Sequence, residues 1–184
     1  MIAANGKILV RSDLSQKQTY DLAGIQVSAA LLFEKNYREK SPVIAQAEHD
    51  RGMVMKGDIL ICHHNTFYSP SPYNTFDDQF SIPCNGNIIF AKLNPHDGSL
   101  LPIYGNMLCD RVDIERQFVI PDSQTQYLNV LKVTDPGYTV YKKDQIILTR
   151  PYAFYEIVYN WEGDLRRVHK CHDSQVCGFI QNPA

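Results

Sequence analysis

The chain has no apolar run near the roughly 18 to 20 residues that a membrane-crossing helix needs. Its longest, such as Ala29–Phe33 and Ile59–Cys62, are far shorter. It also lacks any excess of positive charge, with 18 Lys and Arg against 20 Asp and Glu and a net charge of −2. Phosphate neutralisation supplies most nucleic-acid affinity, so this balance excludes a broad basic surface as a route to DNA or RNA. No basic stretch followed by an apolar one opens the sequence, and no signal peptide is expected. There is no Gly-x-Gly-x-x-Gly, no Walker A sequence and no Gly-x-Ser-x-Gly elbow. That removes the common signatures of dinucleotide, nucleoside-triphosphate and serine-hydrolase chemistry. The five cysteines follow no pairing scheme, which points to reduced thiols in a cytoplasmic protein.

What is present is a folded composition: 184 residues, 44% hydrophobic and 21% charged. That is enough for one medium domain or two small ones of about ninety residues. Most apolar stretches are short, rich in Val, Ile, Leu, Tyr and Phe, and bounded by Gly, Pro, Asn or Asp. They read as strands at Lys7–Arg11, Val43–Ala47, Asp58–Cys62, Ile88–Leu93, Met107–Asp113, Asn129–Val133, Gln145–Leu148, Ala153–Trp161, Leu165–His169 and Val176–Ile180. The segment from Trp161 to Leu165 reads as a hairpin turn, with Gly163 free to take positive φ. Only Ala29–Lys40, where Leu32, Phe33 and Tyr37 share a face, has helical spacing, and helix and mobile loop stay open there. The expected class is all-β, a sandwich or barrel.

The chain also resembles itself. Ser41–Cys62 lies on Tyr127–Leu148 without a gap, so that Val54–Ile61 meets Val140–Ile147 in a shared Val-x-Lys-x-Asp pattern. Upstream, Gly6–Arg11 matches Gly105–Asp110; downstream, Asn87–Ile89 matches Gln175–Cys177. The matched blocks keep their order, which argues for duplication, with one domain over 1–94 and a second over 99–184. The turn-rich segment Asn94–Ser99 has the composition of a linker.

Each half resembles the small co-chaperonin family, the GroES-like lid of the chaperonin ring. In the first half the resemblance rests on Ile8-Leu9-Val10, Ala23-Gly24-Ile25-Gln26-Val27, Val43–Ala47, Val54–Ile61 with its Gly57-Asp58, and Ile88–Ala91. In the second it rests on Cys109–Val112, Phe118-Val119-Ile120, Val130–Val133, Val140–Ile147 and Val176–Phe179. The sequence departs from the family pattern in three places. The roof hairpin is reduced to Glu48–Gly52 and Thr134–Gly137, Cys62–Gln79 is longer than the pattern requires, and Lys143 stands where the second Gly-Asp glycine should be.

The resemblance implies two tandem GroES-like small β-barrels. It also implies a non-enzymatic lid that binds a large ATP-dependent chaperonin ring and self-associates into a ring of its own. Gly24, Ile25, Gln26 and Val27, with Phe118, Val119 and Ile120, would be the chaperonin contacts. No cofactor, nucleic acid or membrane is implied. Zinc alcohol dehydrogenases contain similar barrels but need a dinucleotide domain, for which there is no motif here.

Physically, apolar residues in a loop that follows a polar Ser12–Tyr20 stretch order only when a partner supplies a groove. Capping then depends on several loops binding together. The competing readings are a core helix over Ile25–Phe33, an ordinary strand ending at Pro121, and a non-enzymatic structural or interaction protein, such as a virion component, using the barrels as rigid modules.

Two clusters were weighed for metal, His169 with Cys171, His172 and Cys177, and Cys62-His63-His64. Neither has the paired spacing of structural zinc, so no metal is expected. Asp77-Asp78 reads as a solvated turn. Tyr152, Tyr155 and Tyr159 read as hairpin packing, since base stacking would sit poorly on a net-acidic chain.

Overall fold

The computed structural model describes residues 6–12, 19–22, 25–28, 43–63, 74–76, 79–112, 129–162 and 164–180. Fifteen strands follow in order: β1 Lys7–Arg11, β2 Thr19–Leu22, β3 Ile25–Ser28, β4 Val43–Ala47, β5 Ile59–Cys62, β6 Asn74–Phe76, β7 Gln79–Pro83, β8 Ile89–Leu93, β9 Leu100–Pro102, β10 Asn106–Arg111, β11 Asn129–Asp135, β12 Ile146–Thr149, β13 Tyr155–Trp161, β14 Asp164–His172 and β15 Val176–Ile180. The expected all-β class holds. The helix-or-loop question over Ala29–Lys40 falls outside the described residues, as does Asp77-Asp78.

The strands form a seven-stranded sheet ordered β6-β7-β1-β4-β5-β8-β9, a six-stranded sheet ordered β13-β14-β10-β11-β12-β15, and a ribbon β2-β3. Every named pairing is antiparallel. Six strands of the first sheet recur in the same spatial order in the second: β6, β7, β1, β4, β5 and β8 correspond to β13, β14, β10, β11, β12 and β15. Among the described residues both sheets are open.

The repeat extends to register, with one adjustment. Val43 faces Cys62 and Ile44 faces Ile61 across β4-β5, as Asn129 faces Thr149 and Val130 faces Leu148 across β11-β12. Between those strands, the Gly57 amide donates to the Ala47 carbonyl at 2.8 Å, and the Asp144 amide donates to the Val133 carbonyl at 2.7 Å. Gly57 and Asp144 both take positive φ, 89° and 68°. The counterpart of Gly57 is therefore Asp144, which corrects the ungapped match that put Lys143 there. The second turn carries one extra residue. Asp is among the few non-glycine residues that tolerate this region of backbone space.

Strand periodicity explains how three cores arise from two sheets. In β5, Leu60 and Cys62 face one way, joining Ile8, Val10, Phe80 and Ile82 in a core belonging to the first sheet. Ile59 and Ile61 face the other way and meet Ile157, Tyr159 and Trp161 of β13 in a middle core shared by both sheets. A third core, with Met107, Leu131, Val133 and Ile147, belongs to the second sheet. All four residues of β5 are buried, whereas β12 alternates half-buried and buried. Each large side chain sealed in the middle layer contributes about 1.5–3 kcal/mol.

The segment expected to be a linker is held in place. Tyr159 donates its hydroxyl to the Gly98 carbonyl at 2.8 Å, and Arg166 donates to the Asp97 carbonyl at 2.7 Å. A Cβ on Gly98, whose φ is +68°, would collide with the Trp161 ring. The turn from Asn94 to Ser99 therefore packs against the β13-β14 hairpin, and β9 beyond it completes the first sheet by pairing with β8.

Candidate functional site

The residues expected to contact a partner divide between the ribbon and undescribed chain. Ile25, Gln26 and Val27 lie in β3 opposite Leu22, Asp21 and Tyr20 of β2. Gly24 falls between the two strands, outside the described residues, and so do Phe118, Val119 and Ile120. The ribbon does not stand alone, since β3 runs beside β13 with Cα atoms within 8 Å. A two-stranded ribbon is at best marginal in water without a third surface. The neighbouring backbone is β13, the outer strand of the second sheet.

A second site lies where the sheets meet, and the sequence did not single out its central pair, Asn106 and Lys170. Asn106, fully buried at the start of β10, donates through its amide nitrogen to the carbonyls of Gly86, Ile89 and Ile103 at 3.0, 3.2 and 3.0 Å. Its amide oxygen accepts from Lys170 Nζ of β14 at 3.0 Å. The Lys170 ammonium sits over the Phe90 ring at 3.8 Å and lies 5.8 Å from the centre of the Tyr155 ring. Desolvation pulls its pKa down to about 8, against a small opposing pull from Cys171. Beside it, His172 Nε2 donates to the Tyr104 carbonyl at 3.1 Å. On its other face, His172 Nδ1 accepts from the Ser174 amide at 3.2 Å and lies 3.0 Å from Asp173 Oδ1. Gly86 is required at this junction because a Cβ there would strike the Tyr104 carbonyl oxygen and the His172 ring. Of these groups Lys170, Phe90, Tyr155 and His172 border a cleft of about 330 Å³, with His63, Asn87 and Gln175 among its other walls.

The histidine and cysteine residues weighed for metal diverge. His169 stacks on Phe154 at 4.2 Å and reaches Glu156 at 3.8 Å. Cys171 is buried in the third core, His172 is engaged at the junction, and Cys177 is exposed. Cys62 is sealed in the first core, where burial pushes its thiol pKa strongly up. Among the described residues no three His, Cys, Asp or Glu side chains converge as metal ligands would, and all five thiols are free. Thiols whose pKa is raised by burial are poor nucleophiles at neutral pH. Of the three clustered tyrosines, Tyr159 is buried, Tyr155 packs against the middle core, and Tyr152 is exposed.

No described helix is long and apolar enough to cross a membrane. Comparison with protein-family models, curated proteins and solved structures returned no match for this chain.

Proposed function

We propose that this chain is a co-chaperonin-type lid: two GroES-like units in tandem that self-associate and cap a large ATP-driven chaperonin ring. The observation that carries this reading is the twofold occurrence of one six-strand order. In each copy, a long stretch separates the first strand from its antiparallel neighbour, between β1 and β4 and again between β10 and β11. Those stretches contain Gly24–Val27 and Phe118–Ile120. ATP hydrolysis would belong to the ring; this chain would act as a non-enzymatic cap without a cofactor.

The inner joint of the chain suggests how copies assemble. β9 covers the outer edge of β8, while among the described residues no strand covers the equivalent edge of β15. An uncovered edge of that kind can pair with a strand of a second copy, and a head-to-tail contact repeated around an axis closes as a ring.

The test is binding of the purified protein to a chaperonin ring with and without ATP, followed by sizing. Wild type should associate in an ATP-dependent manner, and the double variant Ile25→Asp, Val27→Asp should lose association while keeping its oligomeric state. Equal binding by the double variant would remove the ribbon from the contact.

The proximity of β3 to β13 favours a second reading, a structural or interaction protein that uses the two units as rigid modules. Hydrogen exchange over Leu22–Ala30 separates the two. Protection that appears only with chaperonin and ATP supports the lid, and full protection in the free protein supports the module.

A further inference from the structure

Among the described residues, the positive charge in the junction cleft has no negative partner. Other cations close to acids are paired: Lys92 with Asp58 at 2.7 Å, Lys132 with Asp144 at 2.7 Å, and Arg167 with Glu156 at 3.3 Å. Lys170 is different. Among the described residues its only hydrogen-bond acceptor is the neutral amide oxygen of Asn106, although an ammonium has three donors. Withdrawing a charge from water without an ionic partner is costly, so the site gains when an anion arrives. No Asp or Glu is among the described residues that border the cleft. Its walls combine flat rings, Phe90, Tyr155 and His63, with the amides of Asn87 and Gln175 at the rim. His63 and Phe90 meet edge to face at 5.8 Å, and Phe90 and Tyr155 at 5.2 Å. At about 330 Å³ the space is at the small end for ligand sites.

We propose that this cleft binds a small planar carboxylate, with the carboxylate on Lys170 Nζ and the flat body beside Tyr155 and His63, whose rings are tilted by 37° to each other. The amides of Asn87 and Gln175 are the neutral donors that complete recognition of the oxygens. Such a ligand would touch both repeats at once, because His63 and Asn87 belong to the first and Lys170 and Tyr155 to the second. Besides Lys170, the titratable groups around the cleft are His63, His172, Tyr152, Tyr155 and the adjoining Cys171, with Asp173 against His172. Burial lowers the Lys170 pKa to about 8.

The test is a calorimetric titration of the full chain at pH 7 and low salt, using benzoate, its neutral analogue benzamide, and inorganic phosphate. Benzoate should bind saturably, and benzamide at least about tenfold more weakly, the scale of one charge-assisted hydrogen bond. Lys170→Met should weaken benzoate by about the same factor, and wild-type binding should fade as pH rises past 8. Gln175→Glu keeps Lys170 and places a competing carboxylate at the rim; it should also weaken benzoate, which keeps the test decisive if Lys170→Met does not fold. Absence of saturable benzoate binding, equal binding of benzamide, or unchanged binding in a folded Lys170→Met protein would overturn the site. Phosphate bound as tightly as benzoate would overturn the planar-carboxylate assignment.

Discussion

The two six-strand repeats share an order but not an environment. The first is buried on both faces: β5 sends Leu60 and Cys62 into its own core and Ile59 and Ile61 into the layer shared with β13. The second folds its β13-β14 hairpin over the first and keeps only one face of β12 sealed. One strand order thus serves as a filled middle in one copy and as a cover in the other. The side chains on the second face are apolar in both, Ile59 and Ile61 in β5 and Ile146 and Leu148 in β12, so what distinguishes the strands is cover: buried in β5 and half-buried in β12.

The sharpest way to break this comparison is to truncate equivalent positions. Ile61 and Leu148 are partnered by Ile44 and Val130 at the same register. Ile61 has no exposed surface, and Leu148 is half-buried. Ile61→Ala should cost about 3 kcal/mol, and Leu148→Ala about 1 kcal/mol or less. Urea denaturation followed by Trp161 fluorescence reads both. Equal losses would mean that the shared layer does not distinguish the repeats.

The next effect is electrostatic and belongs to the junction. Lys170 has a folded-state pKa of about 8 against 10.5 for an unperturbed lysine. Between those values the unfolded chain binds more protons, so this group makes stability rise with pH across that window. The buried thiol of Cys171, pushed up to about 11, and the Tyr104 hydroxyl, pushed up to about 12, act in the opposite sense above their ordinary values. Comparison with Lys170→Met isolates the lysine. Wild type should gain about 1–3 kcal/mol on the variant between pH 7 and pH 10, an order-of-magnitude figure for a shift of this size. A constant difference would show that the ammonium is solvated rather than confined against Phe90.

The turns offer a smaller test. Gly57→Ala forces a Cβ into a backbone region that costs L-residues about 1–2 kcal/mol, although nothing within 4 Å would obstruct it. Asp144→Gly at the equivalent position should change stability by less than about 0.5 kcal/mol, because relief of backbone strain offsets the lost exposed ion pair with Lys132. If Lys143→Gly stabilised and Asp144→Gly did not, the turn equivalence would be wrong.

Much of this architecture was legible in the chain. The ten strands expected from alternating Val, Ile, Leu and Tyr runs correspond to β1, β4, β5, β8 and β10 through β15. The missed strands have physical excuses. β7 alternates as Gln79-Phe80-Ser81-Ile82-Pro83 but ends on a proline, β9 is only Leu100-Leu101-Pro102, and β2, β3 and the three-residue β6 fall in stretches that read as loops. The one-residue shift at Asp144 was hidden because Val-x-Lys-x-Asp recurs in sequence, while backbone sign, not residue identity, sets the turn. The junction lysine gave no signal: Lys170 directly follows the expected strand Leu165–His169, and nothing in its neighbours sets it apart until tertiary packing lays it on Phe90.

The smallest effect tests whether Asp144 has taken on an electrostatic role along with glycine's place in the turn. The hydrogen bond and charge of Lys132 hold its carboxyl below the usual carboxylate value, while the same contact holds the Lys132 ammonium above its ordinary value. A carboxyl with a depressed folded-state pKa contributes stability that is fully present above its unfolded value of 3.8 and lost as pH falls through the folded one. Asp144→Asn keeps a residue that accepts positive φ but removes the charge. The variant should therefore be slightly less stable than wild type at neutral pH and converge on it in acid. Because the pair is exposed, the gap should also shrink as salt is added. A gap independent of pH and salt would assign the whole contribution of Asp144 to backbone geometry, leaving the ion pair with Lys132 as a bystander.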